Sequence, residues 1–342
     1  MYACSSSDDS GPDSTDTTGT ETGTDAGTHT TGDSGSSTSG PQNPIQGVTT
    51  ATAVSEFNGF YVDGLIWADG SLYVSTPYNP PTAIVKYTPG LDDPTTPYVP
   101  ADGYALGITY DATQQKLLFA NSPTIVDLTT DPKGTLERTP TGTATVTTVS
   151  TTPNPPPWWS PNDAVVAKDG TIYVTDPLYQ VAEGDTTVIN GVYSIATNGA
   201  VTLIDNFGGG EDSLVRPNGI GLSPKGDILY VSLTDKPSVV KYSIDASGKV
   251  NGQRNPFVQL ELTAKPDGLG VDQDGNVYVA TSTGVRVYKP DGSSWGTIAT
   301  SGGAATNVAF GGSDFKTLYI STDATTGSGL FSAPVKVVGL QQ

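Results

Sequence analysis

Six times after residue 46 the chain returns to a short run built mainly from Val, Ile, Leu, Tyr and Thr: Ser71-Leu-Tyr-Val-Ser75, Lys116-Leu-Leu-Phe-Ala120, Thr171-Ile-Tyr-Val-Thr175, Ile228-Leu-Tyr-Val-Ser232, Asn276-Val-Tyr-Val-Ala280 and Thr317-Leu-Tyr-Ile-Ser321. Turn signals such as Asp69-Gly70, Asp169-Gly170, Lys225-Gly226, Asp274-Gly275 and Asp314 stand ahead of these runs. An earlier apolar run precedes each turn, which is the signature of a hairpin. A third strand follows in Ala83-Ile-Val-Lys-Tyr87, Gly191-Val-Tyr-Ser194, Ser238-Val-Val-Lys-Tyr242 and Gly284-Val-Arg-Val-Tyr288, often with a fourth beyond it. No amphipathic helical period of useful length interrupts them, which argues against a βαβ fold. Four-stranded units of roughly 40 to 59 residues match propeller blades, so residues 46–342 are expected to form an all-β, six-bladed β-propeller. Residues 46 to 56 are expected to supply the strand that joins the last blade to the ring.

Residues 1–45 read differently. From Ser5 to about Gly40 the chain is almost wholly Ser, Thr, Asp and Gly with no large apolar side chain. Such a segment buries too little surface to offset the entropy of ordering, and a disordered tether is expected. The lone cysteine in Tyr2-Ala3-Cys4-Ser5-Ser6 resembles the lipid-acceptor cysteine of bacterial lipoproteins. That resemblance implies an exported protein in the cell envelope or periplasm, reaching the membrane only through a lipid on Cys4. No hydrophobic stretch stands ahead of Cys4, so either the chain as written starts downstream of a leader or Cys4 is an incidental thiol. No run of about 18 apolar residues occurs, which excludes a membrane-spanning helix.

The rare residues narrow the chemistry. His29 is the only histidine and Cys4 the only cysteine, and both fall in the tail. The folded part therefore cannot build a Ser-His-Asp or Cys-His centre, a zinc finger, a disulfide or an imidazole-ligated metal site. Any metal must be held by oxygen. The net charge of −19, from 35 acids against 16 bases, repels phosphate backbones and anionic headgroups and favours divalent cations. Nucleic acid is not an expected partner, and the oligomeric state is not legible.

In a propeller the innermost strand of each blade lines a central channel, so residues at the same phase of different blades converge near one axis. The mouths of four inner strands read Asp63-Gly-Leu-Ile-Trp67, Asn162-Asp-Ala-Val-Val166, Asn218-Gly-Ile-Gly-Leu222 and Asp267-Gly-Leu-Gly-Val271. Asn and Asp before Gly are common turn residues that bond their own backbone, and each one taken singly reads that way. Four oxygen-bearing side chains at equivalent phase, three of them behind Pro161, Pro217 and Pro266, instead suit a hard cation that takes carboxylate, carbonyl and water ligands. Ca²⁺ heads that list, with Zn²⁺, Mn²⁺ and Mg²⁺ as alternatives. By contrast, Asp69, Asp169, Asp274 and Asp291 read as hairpin-turn residues without chemistry.

Several blades carry a more specific pattern. Ser160-Pro-Asn-Asp-Ala-Val-Val166 is followed by Asp169-Gly-Thr-Ile-Tyr-Val-Thr-Asp-Pro177. Arg216-Pro-Asn-Gly-Ile-Gly-Leu-Ser-Pro224 comes with Leu229-Tyr-Val231, and Pro266-Asp-Gly-Leu-Gly-Val-Asp272 with Gly275-Asn-Val-Tyr-Val279. Thr306-Asn-Val-Ala-Phe-Gly-Gly312 with Thr317-Leu-Tyr-Ile320 closes the series. Together these resemble the SMP-30/gluconolactonase family of metal-dependent lactone hydrolases over about residues 57 to 332. The resemblance implies metal ligation by Asp63, Asn218 and Asp267, with Asn162 touching the metal or the substrate. It also implies Asp267 as general base toward a small-molecule lactone, sugar-type or related, with Asn162 orienting that substrate. The family's first ligand is a glutamate four residues before a tryptophan; Asp63 keeps that spacing to Trp67 on an arm one methylene shorter.

The stretch from Pro153 to Trp159 has no counterpart in that pattern. Trp158 and Trp159 read either as an exposed aromatic contact or as a lid over a blade junction, and Tyr179 either as a pocket-mouth residue or as blade packing. At the level of the whole chain two other readings stay open. One is a paraoxonase-like lactonase or esterase, and the other is a non-catalytic, envelope-tethered propeller that binds a ligand or protein.

Overall fold

In the computed structural model, residues 41–78, 83–90, 97–100, 103–122, 135–140, 147–149, 159–179, 189–208, 215–324 and 327–342 are described. The tether, Cys4 and Trp158 fall outside them. Strand β1 (Thr52–Ala53) is followed by six four-stranded antiparallel sheets, of which the last borrows β1. Blade 1 is β2 (Leu65–Ala68), β3 (Ser71–Thr76), β4 (Ala83–Tyr87) and β5 (Pro97–Pro100). Blade 2 is β6 (Tyr104–Asp111), β7 (Lys116–Ser122), β8 (Thr135–Pro140) and β9 (Thr147–Thr148). Blade 3 is β10 (Ala164–Val166), β11 (Ile172–Asp176), β12 (Gly191–Ile195) and β13 (Val201–Asn206). Blade 4 is β14 (Pro217–Leu222), β15 (Ile228–Leu233), β16 (Ser238–Ile244) and β17 (Val250–Gln259). Blade 5 is β18 (Leu269–Val271), β19 (Val277–Thr281), β20 (Gly284–Tyr288) and β21 (Ser294–Ile298). Blade 6 is β22 (Ala305–Gly311), β23 (Thr317–Thr322) and β24 (Leu330–Pro334), completed by β1. The chain is a six-bladed β-propeller.

The repeated runs become the second strand of every blade, and burial explains why they are almost continuously apolar. Successive side chains of a strand point to opposite faces, and both faces of a blade are covered by its neighbours. Leu72 and Val74 therefore pack in the core shared with blade 6, while Tyr73 between them packs in the core shared with blade 2. Each of the six blade junctions has such a core. The turn chemistry holds as well. Asp69 and Gly70 take φ of 48° and 76° between the paired residues Ala68 and Ser71, the doubly left-handed turn that matches hairpin twist.

Ring closure falls where the sequence places it. Thr52 pairs with Ser332 and Ala53 with Phe331, and the Val54 N–H donates to Leu330 O at 2.8 Å. Ile45 and Ala51 are buried in the core between blades 5 and 6. At the other end of the chain, Leu340 N donates to Val271 O at 3.0 Å. Gln341 Nε2 donates to Trp67 O at 2.7 Å, and the Leu222 N–H donates to Gln342 Oε1 at 2.9 Å. These final residues thus join the C-terminal halves of the inner strands of blades 5, 1 and 4. The N-terminal mouths of those strands face the opposite end of the channel.

Candidate metal centre

Hairpin pairing sets the four strand mouths at one level. Asp63 N donates to Ser75 O (3.1 Å), Asn162 N to Thr175 O (2.9 Å) and Asp267 N to Ala280 O (3.0 Å), the same bond in three blades. Asn218 stands second in β14, where the register against β15 shifts between Pro217 and Ile220. All four side chains, predicted from sequence as one group, line a single cavity of about 410 Å³. The glycines that follow three of them, Gly64, Gly219 and Gly268, permit the convergence. A Cβ on Gly219 would lie 2.4 Å from Asp267 O, and one on Gly268 would lie 2.2 Å from the Asn307 side chain. Any larger residue would push adjacent inner strands apart.

The electrostatics of the cavity are unbalanced. Burial raises the proton affinity of Asp63 above the ordinary carboxylate range. Burial does the same to Asp267, and the Asp63 and Asp163 carboxylates add repulsion. These are desolvation and like-charge effects of the expected sign. Among the described residues no hydrogen bond or ion pair reaches the Asp63 carboxylate. The cavity's lysine, Lys265, sits exposed at its edge with Nζ 3.6 Å from Asp235. Asn218 is oriented from behind, since its Nδ2 donates to Tyr179 Oη (3.1 Å) and Thr234 Oγ1 (3.2 Å). The Asn218 side chain also hydrogen-bonds the Asp267 carboxylate, which partly offsets that group's raised proton affinity, and its Oδ1, an acceptor only, is the atom that can meet a cation.

No three carboxylate, imidazole or thiolate groups gather at metal-binding spacing among the described residues. The donor set is mixed, two carboxylates with two carboxamides, and the pair of carboxylates carries the charge that one divalent ion balances. Hard-cation sites take such oxygen sets, completed by water. The residues present fit a divalent cation.

Sequence reasoning passed over several residues that the fold brings here. Asp163, directly after Asn162, is buried beneath the cavity. Its Oδ1 accepts the Ala164 N–H (2.8 Å) and its Oδ2 the Ile220 N–H (3.4 Å). Burial, helped by the Asp63 carboxylate, pushes its pKa up to about 8. Asp323 and Thr306 line the wall, and Tyr61 and Tyr78 form the rim with ring centroids 4.7 Å apart. Asp163 and Thr306 stand inside motifs already quoted, so a signal existed for both. Tyr61, Tyr78 and Asp323 carry none. Tyr179 takes the pocket-mouth role, lining the cavity beneath the Arg216 guanidinium, 4.9 Å from its ring centroid. Trp159 is half-buried away from the cavity, its main-chain N–H donating to Asp176 Oδ2 at 2.6 Å.

A sequence model of the SMP-30/Gluconolactonase/LRE-like region matches residues 62–324, a span that contains every strand mouth described above. The chain belongs to this family. It is 33% identical over 175 residues to a gluconolactonase of Zymomonas mobilis, an alignment covering 47% of this chain and 48% of that protein. A pentonolactonase of Haloferax volcanii is 30% identical over 141 residues, covering 40% and 46%. The chain thus spans about half the length of these relatives. Among solved structures, a gluconolactonase from Xanthomonas campestris superposes with a TM-score of 0.66 at 23% identity, covering 84% of this chain and 91% of that one. That likeness extends the family's propeller over nearly all of the described fold.

Proposed function

We propose that the protein is a divalent-cation-dependent lactonase acting on a sugar-type or related lactone, with Ca²⁺ as the ion its donor set suits best. The observation that carries this reading is the meeting of Asp63, Asn162, Asn218 and Asp267 in one cavity, two carboxylates and two carboxamides. Two relatives with lactonase names support the reaction class.

A bound divalent cation supplies Lewis-acid polarisation of the lactone carbonyl and stabilises charge on its oxygen. Asp63, Asn218 and Asp267 would hold it. Asp267 serves as general base, taking a proton from the attacking water; because it would also hold the cation, which weakens it as a base, the role requires that water within hydrogen-bond reach of its free oxygen. Asn162 orients the lactone by hydrogen bonding. The tyrosine rings at the rim offer an apolar face and a hydroxyl to a sugar ring.

The test is hydrolysis of gluconolactone and a panel of other lactones by the metal-loaded and chelator-treated protein. Turnover with calcium, loss of most of it in chelator and recovery on re-addition are expected. Equal rates in both samples would remove the metal-dependent reaction. Calcium that raises the melting temperature while no lactone is turned over would replace it with a binding role.

A further inference from the structure

The repeated second-strand runs end in Ser75, Ala120, Thr175, Ser232, Ala280 and Ser321, and the reaction just described uses none of these side chains. Three of them do something distinctive. Ser232 Oγ donates to Asp267 O at 2.5 Å, Thr175 Oγ1 to Asn218 O at 2.7 Å and Ser321 Oγ to Asp63 O at 2.6 Å. Each hydroxyl leaves its own blade and takes hold of the main chain of a candidate ligand in the next blade of the ring. All three side chains are fully buried, so no water replaces them.

The remaining junctions set off the pattern. Between blades 2 and 3, where Ala120 has no hydroxyl, Asn162 O is held by the Gly107 N–H at 2.8 Å. Ser122 there donates to Pro161 O at 2.6 Å. Between blades 5 and 6, where Ala280 has none, the Gly268 N–H donates to Thr306 O at 2.7 Å. Ser75 accepts the Gly64 N–H at 2.8 Å within its own blade, and blade 2 beyond it supplies no candidate ligand. At this strand position the hydroxyl reaches across at the junctions leading to Asp63, Asn218 and Asp267.

Two of these oxygens also accept: the Gly219 N–H donates to Ser232 Oγ at 2.8 Å and the Asp163 N–H to Thr175 Oγ1 at 3.1 Å, while Ser321 Oγ lies 2.8 Å from Thr306 Oγ1. One hydroxyl thus ties the residue after Asn218 to Asp267, and another ties the residue after Asn162 to Asn218. Further hydroxyls brace the preceding residues, Thr234 at Pro266 O (2.8 Å) and Thr306 at Val62 O (2.7 Å). Coordination tolerates only small errors in ligand placement, about 0.2 Å, and four separate blades must deliver that placement together.

We propose that Thr175, Ser232 and Ser321 are positioning residues that lock the main chain of Asn218, Asp267 and Asp63 so that their side chains meet on one cation. This rests on the metal-centre reading. Removing one hydroxyl leaves a buried carbonyl without its donor, so the ligand strand relaxes away from its neighbour. Outer partners of metal ligands typically govern about 10- to 100-fold in metal affinity.

The experiment is calorimetric titration of the full chain with calcium, alongside melting temperatures in chelator, for wild type, Ser232→Ala, Ser321→Ala, Ser232→Thr and Thr322→Ala. Thr322 is the control: it neighbours Ser321, is equally buried, and its hydroxyl donates to Ser328 O at 2.9 Å within blade 6. Both serine-to-alanine variants are expected to lose about 10- to 100-fold in calcium affinity. Ser232→Thr should restore it, and Thr322→Ala should melt earlier in chelator yet bind calcium as wild type does. Wild-type affinity in both alanine variants overturns the proposal alone, as does an equal loss in Thr322→Ala or a failure of Ser232→Thr to rescue. A wild type that binds no calcium overturns the metal-centre reading and the proposal with it. If the alanine variants do not fold, Ser232→Cys, similar in shape with a weaker donor, is held to the same outcomes.

Discussion

Asp267→Asn is expected to lower kcat/KM for lactone hydrolysis by at least about 10²- to 10⁴-fold, the range that a lost general base commands. Weakened cation binding adds to that loss. The substitution keeps the side-chain shape, so the blades remain. In chelator at neutral pH the variant is expected to melt no lower than the parent, and the sign follows from the raised proton affinity of Asp267 in the fold. A carboxylate whose folded-state pKa lies above its unfolded value costs stability once the pH exceeds the unfolded value. A neutral carboxamide removes that cost along with the repulsion from Asp63 and Asp163. Lactone assays and melting curves in chelator read the two effects separately. Full activity in Asp267→Asn would contradict the assignment of the base.

Deleting residues 41–54 is expected to lower the melting temperature by more than about 10 °C, or to abolish a cooperative transition. Blade 6 would lose β1, and with it the bonds from Val54 N to Leu330 O and from Ala51 N to Ala299 O. Also lost would be those from Ala299 N to Thr49 O, from Lys336 N to Pro44 O and from Ser328 Oγ to Val54 O. Each bond contributes about 1 kcal/mol, and burial of Ile45 adds about 2 kcal/mol. Against a total stability of about 5–15 kcal/mol, and with the edge of β24 newly open, the ring is not expected to stay closed. An unchanged melting curve would show that closure does not depend on this segment.

The blades were legible because both faces of each second strand are buried, which turns Leu72-Tyr73-Val74 and its counterparts into short apolar runs, three of them preceded by Asp-Gly turns. Closure by residues 46 to 56 follows from the need to satisfy the free edge of the last blade. The same reading is silent on the outer strands of blade 2. Thr135–Pro140 and Thr147–Thr148 contain few apolar residues, so periodicity had nothing to detect. Asp63, Asn162, Asn218 and Asp267 could be grouped from the sequence, and share one cavity, because an inner strand fixes the phase of its first residues. Tyr61, Tyr78 and Asp323 reach the cavity from segments outside that phase, and no spacing in the chain announces them. The final residues are similar: Leu340 to Gln342 join three blades through main-chain and carboxamide bonds that leave no mark in hydropathy.

The most direct test of cation binding at this centre is a calcium-soaked crystal. One ion is expected on the channel axis at about 2.3–2.6 Å from oxygens of Asp63, Asn218 and Asp267, with water filling the remaining positions. Those three side chains standing too far apart to share the ion, or calcium settling only in an exposed aspartate turn, would contradict it.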